Sequence, residues 1–215
     1  LFPRGHVVDL HPWEHNEVPV VLAAALKTDV PIVALHLTRP SIEVPDRAAL
    51  GIPSHFAAAR GAYVMRDYRP GQKPMGVVIV QGTYTTANVV EILPELDKAG
   101  LNVKVVAAIS PDLFRMQPAG YREQVLSDVD RIDSMCVTNR ARRLMADWVD
   151  TRVCDEYSLS SDWDDRWRTG GTVEEVIEEA HLSPEWILKG IERFVADRDK
   201  RLRRVMDAAR QAMSR

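Results

Sequence analysis

The stretch Val77-Val78-Ile79-Val80-Gln81-Gly82-Thr83-Tyr84-Thr85-Thr86, followed by residues 87–100 and then by Val103-Lys104-Val105-Val106, constrains this fold most. Residues 77–80 form an unbroken apolar run, as in a strand buried on both faces. Gly82 and the threonines make a turn. Residues 87–100 carry a helical pattern that stops at Ala99-Gly100, and residues 103–106 are a second buried strand. Strand, helix and strand in this order predict a βαβ unit, because parallel strands need a long crossover. The second half of the chain is therefore expected to be parallel α/β.

A second βαβ pattern opens the chain. Val7-Val8-Asp9-Leu10 reads as a short strand, and Pro12 keeps residues 11–15 out of helix and ladder. Asn16 is a candidate N-cap for a helix over 17–28, with Pro19 tolerated in its first turn. Residues 31–38 read as a strand ending at Arg39-Pro40. Residues 40–57 are Pro-rich, without periodicity, and read as an irregular connection.

Further on, a short edge strand is expected over 62–67, a capped turn at 110–114 and a short helix over 121–126. A strand is expected over 134–138, a helix over 141–149 and a strand over 152–157. Residues 162–171 read as a loop. Thr172 with Glu175 forms a capping box, and Ser183-Pro184 starts the next helix. Residues 197–215 are strongly charged with a thin apolar period, and read as a solvated helical tail that docks on another subunit.

Composition excludes several classes. The 215 residues are 46% hydrophobic and 27% charged, as in ordinary globular domains. A formal net charge of -3 argues against a nucleic-acid partner. No apolar run approaches the ~20 residues of a membrane helix. The start at Leu1 lacks the apolar centre of a signal peptide and an initiator methionine, which leads us to expect a cytoplasmic piece of something longer. Cys136 and Cys154 form no metal-ligand spacing and are expected as buried free thiols in strand-like surroundings. His6, His11 and His15 are close in sequence, yet nothing in their spacing forces a common metal centre, and they read as loop or edge histidines. The turn at residues 82–86 lacks phosphate-loop spacing and reads as a strand-to-helix turn capped by Thr83 or Thr85.

Three stretches together resemble the transketolase family. The segment His11-Pro12-Trp13-Glu14-His15-Asn16-Glu17, a helix, and the strand ending Leu37-Thr38-Arg39 are similar to the last βαβ of that family's pyrimidine-binding middle domain. Its pattern there is Arg-Pro-x-Asp-x-x-Glu, a helix and Leu-Ser-Arg. Gly61-Ala62-Tyr63-Val64 resembles the Gly-Gly-Tyr-Val opening of the C-terminal domain. Phe114-Arg115-Met116-Gln117-Pro118-Ala119-Gly120-Tyr121-Arg122-Glu123-Gln124-Val125-Leu126 follows the family's Phe-x-x-Gln-x-x-x-Tyr-Arg-x-x-Val-Leu. The likeness fades over 155–175, where Trp163-Asp164-Asp165-Arg166-Trp167 replaces a Phe-Gly-x-Ser-Ala-Pro loop.

The resemblance implies a three-layer α/β/α domain with a mostly parallel sheet over 59–196. An incomplete βαβ of a second α/β domain (1–40) and a linker (41–58) precede it, and a charged tail (197–215) follows. It implies a parent enzyme that moves two-carbon ketol units between sugar phosphates, using thiamine diphosphate and Mg2+ and acting as a homodimer. The Gly-Asp-Gly metal-diphosphate motif and the activating glutamate belong to parts of the family absent from this sequence. This chain alone is therefore expected to bind no cofactor or metal, to hold no catalytic residue and to be inactive without the missing N-terminal and middle-domain parts. Arg39 corresponds to the strand-end arginine that contacts substrate phosphate, a role suited to a guanidinium. Glu14 stands where the family has an aspartate that binds substrate hydroxyls, one methylene longer, and His11 replaces the family's arginine. An ordinary alternative for Glu14 is a carboxylate favoured by the helix N-terminus. Competing functional readings are a subunit of the pyruvate dehydrogenase type, a non-catalytic assembly module, and a small-ligand regulatory site near Gly82. The βαβ at the chain start should expose an apolar edge and helix face, which predicts self-association.

Overall fold

The computed structural model describes residues 4–38, 41–149, 151–166, 168 and 170–215. Its first unit is β1 (Val7–Leu10), α1 (Glu17–Ala25) and β2 (Ile32–Leu35), with the strands parallel and Val7 opposite Ile32. An irregular segment leads to a 3₁₀-helix, His55–Arg60, against which α1 packs.

The second unit is a five-stranded sheet. In chain order it contains β3 (Ala62–Arg66), β4 (Val77–Gln81), β5 (Lys104–Ala108), β6 (Ser134–Thr138) and β7 (Leu159–Ser160). The spatial order is β3-β5-β4-β6-β7; β3 is an antiparallel edge strand with a bulge between Val64 and Arg66, and the other pairs are parallel. Every residue of β4, β5 and β6 is buried, as expected of strands covered on both faces.

The two-residue period of the strands divides the core. Val78, Val80, Val105, Ala107, Met135 and Val137 point to one face, and Val77, Ile79, Val106, Ala108 and Cys136 to the other. Over the first face lie α2 (Thr83–Glu91) and α3 (Leu93–Lys98), joined later by α8 (Val173–Glu179) and α9 (Pro184–Ala196). Phe114 and Leu126 cover the second, together with Trp148 and Cys154. These come from the region of α4 (Pro111–Arg115), α5 (Ala119–Val125), α6 (Asp128–Ile132) and α7 (Arg152–Tyr157). The expected α/β class, three layers and mostly parallel sheet are all present.

The local differences have identifiable causes. The helix expected over 87–100 starts at Thr83 and breaks at Ile92, because Pro94 at the start of α3 has no N–H for the preceding turn. The strand expected over 152–157 is α7. Its buried residues Val153, Cys154 and Tyr157 follow a helical period, and Thr151 caps it by accepting the Cys154 N–H at 3.1 Å. Cys154 is thus on a helix, and only Cys136 is on a strand. Over 141–149 only a 3₁₀ turn, Arg142–Met145, forms. A capping box of Ser127 and Asp130 starts α6, which the sequence reading missed, whereas the Thr172–Glu175 box at α8 is present as expected. Asn16 makes no side-chain cap; Glu14 accepts its N–H instead.

The charged C-terminus is α10 (Arg198–Met213), and it is tied to its own core. Arg201 is fully buried, lies over the Phe194 ring at 3.6 Å and, with Arg198, pairs with Asp133 at the base of β6. The distal half of α10 is exposed. On the first unit, Leu26, Ile32 and Leu37 are more than half exposed.

Candidate functional site

The two units meet at the C-terminal ends of their strands. His11 N–H donates to the Ile109 carbonyl at 2.7 Å, just past β5, and Asp9 N–H donates to the Asp112 carboxylate at 2.9 Å in α4. These bonds hold the loop after β1 against the end of the larger sheet, where open α/β sheets place their ligands.

One side of this junction is a cluster of titratable groups. Asp9 meets His11 Nε2 at 3.0 Å through Oδ2 and His36 Nε2 at 2.6 Å through Oδ1. The two imidazoles stack with centroids 4.3 Å apart. Arg140, just past β6, brings Nη1 to 2.7 Å from His11 Nε2. His11 Nε2 therefore faces a guanidinium that can only donate and a carboxylate that accepts, and a neutral ring satisfies one at a time. Burial pushes Asp9 up, but His11, His36 and Arg140 outweigh it and hold the carboxyl below its ordinary value. Burial holds His11 below the usual imidazole value; Asp9 opposes this, and Arg140 and His36 reinforce it. Asp9, His11 and His36 could offer ligand atoms to one ion. The Arg140 guanidinium already supplies a positive charge at that point. His6 and His15, the other histidines grouped with His11 in sequence, are exposed and do not join it.

The other side is a buried network around Arg47, from the irregular segment. Arg47 Nη2 donates to Glu14 at 3.0 Å and to Glu17 at 2.7 Å, while Nη1 donates to Tyr63 OH at 3.1 Å and the Pro53 carbonyl at 2.9 Å. Tyr63 OH donates to Glu17 and accepts from Trp13 Nε1 at 2.8 Å. The guanidinium lies 5.0 Å from the Trp13 ring. Burial pushes the Glu17 carboxyl up, against the pull of Arg47 and Tyr63, and pushes the Tyr63 phenol well up.

Between these groups opens a cleft of about 300 Å3, lined by Glu14, His15, Leu37 and Thr38 of the first unit, Ile42 of the connection and Thr83 at the start of α2. Glu14 lines this cleft, but Oε1 accepts from Arg47 and Oε2 from Asn16 N–H at 2.7 Å. His11 points away to the Asp9 cluster. Arg39 lies outside the described residues; Thr38, the residue before it, lines the cleft. Asp9, His36, Arg47 and Arg140 were not singled out from the sequence. Arg47 carries no motif, and the Gly-Gly-Tyr-Val-like stretch that holds Tyr63 gives no sign of its partners; only Asp9 and His11 stand close together in the sequence.

The turn after β4 is built differently from the reading. Gly82 has φ 105°, and a Cβ there would collide with the Asn139 side chain. Neither Thr83 nor Thr85 caps α2; Thr85 Oγ1 donates to the Gln81 carbonyl at 2.6 Å. Asn139 therefore packs directly against Gly82, at the turn considered for a small regulatory ligand.

Residues 61–160 match the family model described as the transketolase-like TK C-terminal domain. A transketolase of Geobacillus stearothermophilus is 30% identical over 117 residues, which are 54% of this chain and 17% of that protein. The chloroplastic transketolase of Solanum tuberosum is 32% identical over 123 residues, 56% of this chain and 16% of that protein. The chain thus spans about a sixth of the length of the curated relatives it matches. In structure it is similar to transketolase from Leishmania mexicana, with a TM-score of 0.68, 18% identity, 90% of this chain and 26% of that chain covered. The Pichia stipitis transketolase in complex with sedoheptulose-7-phosphate gives a TM-score of 0.66 at 18% identity, covering 89% of this chain and 25% of that one. No described helix is long and apolar enough to cross a membrane. Residues 61–160 match the transketolase-like C-terminal domain, and the chain is similar to transketolases in sequence over about half of its length and in fold over nearly all of it.

Proposed function

We propose that this chain is the C-terminal part of a thiamine-diphosphate-dependent, transketolase-like enzyme that moves two-carbon ketol units between sugar phosphates. The observation that carries this reading is the cleft at the strand ends, to which both units contribute. In this reading residues 1–40 complete a pyrimidine-binding domain, 41–58 link it to the C-terminal domain at 59–196, and 197–215 are its helical extension. Arg39, one residue beyond the cleft-lining Thr38, holds the substrate phosphate, and Glu14 and His11 border the sugar. The relative from Pichia stipitis, whose structure holds a sugar phosphate, supports that substrate class. The parent is cytoplasmic and dimeric, with the exposed Leu26 and Ile32 covered by the rest of the assembly.

The cofactor does not fit this chain alone. Among the described residues the cleft lining carries one carboxylate, Glu14, already paired, and no Lys or Arg to meet a diphosphate. Thiamine diphosphate and Mg2+ are therefore assigned to the remainder of the parent, and this chain by itself is inactive.

The test is Arg39→Ala in the parent enzyme. KM for phosphorylated donors should rise at least tenfold, while unphosphorylated donors are affected little; equal effects on both would remove the phosphate role. A second reading, a non-catalytic assembly module, is favoured by one observation: both Glu14 oxygens are already hydrogen-bonded inside the protein. It predicts that the parent assembles normally yet shows no ketol transfer.

A further inference from the structure

The chain has two cysteines in 215 residues, 18 positions apart and on different elements, and the fold brings them together. Cys136 Sγ in β6 lies 3.4 Å from Cys154 Sγ in α7. Ser158, one turn past Cys154, holds both: its hydroxyl accepts the Cys136 N–H at 3.2 Å and sits 3.4 Å from Cys154 Sγ. Both thiols border a cavity of about 60 Å3, also lined by Arg142, Arg143 and Asp155. A space of that size admits one or two molecules as small as water, and hydrogen peroxide is scarcely larger. A bulky disulfide cannot reach the sulfurs, which are under 5% exposed.

We propose that Cys136 and Cys154 form a reversible thiol–disulfide pair oxidised by hydrogen peroxide, Cys154 meeting the oxidant and Cys136 resolving it. The roles follow from position: Cys154 lies in the first turn of α7, where a helix N-terminus favours a thiolate, whereas Cys136 lies inside β6 and is the more buried of the two. The contact between the two sulfurs acts in the same direction, holding the Cys154 thiol below its ordinary value against burial and pushing the Cys136 thiol up. The thiolate is the nucleophile. Cys154 attacks one peroxide oxygen, an S–O bond forms as the O–O bond breaks, and the departing hydroxide takes a proton to become water. Cys136, giving up its proton, attacks the sulfenic sulfur; the S–S bond forms and a second water leaves. Two thiols and one peroxide become one disulfide and two waters. The sulfurs must close from 3.4 Å to about 2.0 Å. The bond would tie β6 to α7 and fix the intervening segment, which carries Asn139 against Gly82 and Arg140 against His11. The oxidation state is thereby coupled to the junction of the two units.

The experiment treats the whole chain with hydrogen peroxide under native conditions and reads the intact mass and a non-reducing peptide map. The expected product has lost two hydrogen masses, joins the peptides of Cys136 and Cys154 within one chain, and reverts with dithiothreitol. A bulky aromatic disulfide reagent should label neither thiol before denaturation. Cys136→Ser should stop at a sulfenic acid on Cys154, trapped by dimedone, and Cys154→Ser should remain unmodified. Both thiols staying free at peroxide levels that oxidise glutathione would overturn the proposal. So would a link between chains, or a Cys154→Ser variant oxidised as fast as the wild type.

Discussion

Replacing Arg47 with methionine should expose how the two units are held together. The guanidinium is the shared partner of Glu14, Glu17 and Tyr63; its side chain is 9% exposed and both glutamate side chains are 0% exposed. Methionine keeps most of the stem volume, so the change removes charge and donors rather than packing. Deleting one partner of a buried pair strands the other, at a cost of about 3–5 kcal/mol. For a chain of this size that lowers the melting temperature by roughly 6–20 °C. The loss should depend on pH in a defined direction. Burial already pushes Glu17 up in the wild type, and Arg47 opposes it. Without Arg47 the folded-state value rises further above the unfolded one. The fold then binds that proton more readily than the unfolded chain, so stability falls as pH rises through this range. The deficit of Arg47→Met should therefore be smaller at about pH 5 than at about pH 8. Adding Glu17→Gln should recover part of the loss at the higher pH. Denaturant melts at both pH values measure this. A deficit under about 1 kcal/mol would refute the hub, and a deficit unchanged by pH would refute the part assigned to Glu17.

Two further outcomes follow from the same geometry. Gly82→Ala combines a left-handed backbone with a collision at Asn139, and should cost about 1–3 kcal/mol in a denaturant melt; a neutral result would mean the turn is not held as described. His11 has its folded value lowered, so the unfolded chain binds protons more readily between that value and the ordinary one near ~6.5. Stability should fall as pH drops through that range, and His11→Gln should flatten the slope there; an unchanged slope would assign the acid sensitivity to other groups.

What the sequence made legible was whatever a short pattern encodes. The buried runs at β4 and β6, the Thr172–Glu175 box and the Phe114-to-Leu126 motif each carry their signal within a few residues, and each led to the right element or family. The strand expected at 152–157 failed because Val153, Cys154 and Tyr157 are β-favouring residues whose helical spacing was the stronger cue. The site was less legible. Arg47 sits in a Pro-rich connection with no period, and its partners Glu14, Glu17 and Tyr63 come from two other segments, so only the fold could assemble them. The charged C-terminus looked solvated because two arginines paired with Asp133, one of them fully buried, cannot be told by composition from exposed ones.

The central claim is that these residues serve a thiamine-diphosphate-dependent ketol transfer whose cofactor is held elsewhere in the parent. The most direct test titrates thiamine diphosphate with Mg2+ against both the polypeptide that carries this sequence in the cell and this chain alone, and follows ketol transfer between sugar phosphates. The account predicts saturable binding and turnover for the parent, and neither for the isolated chain. A parent that binds no thiamine diphosphate, or an isolated chain that binds it stoichiometrically, would contradict it.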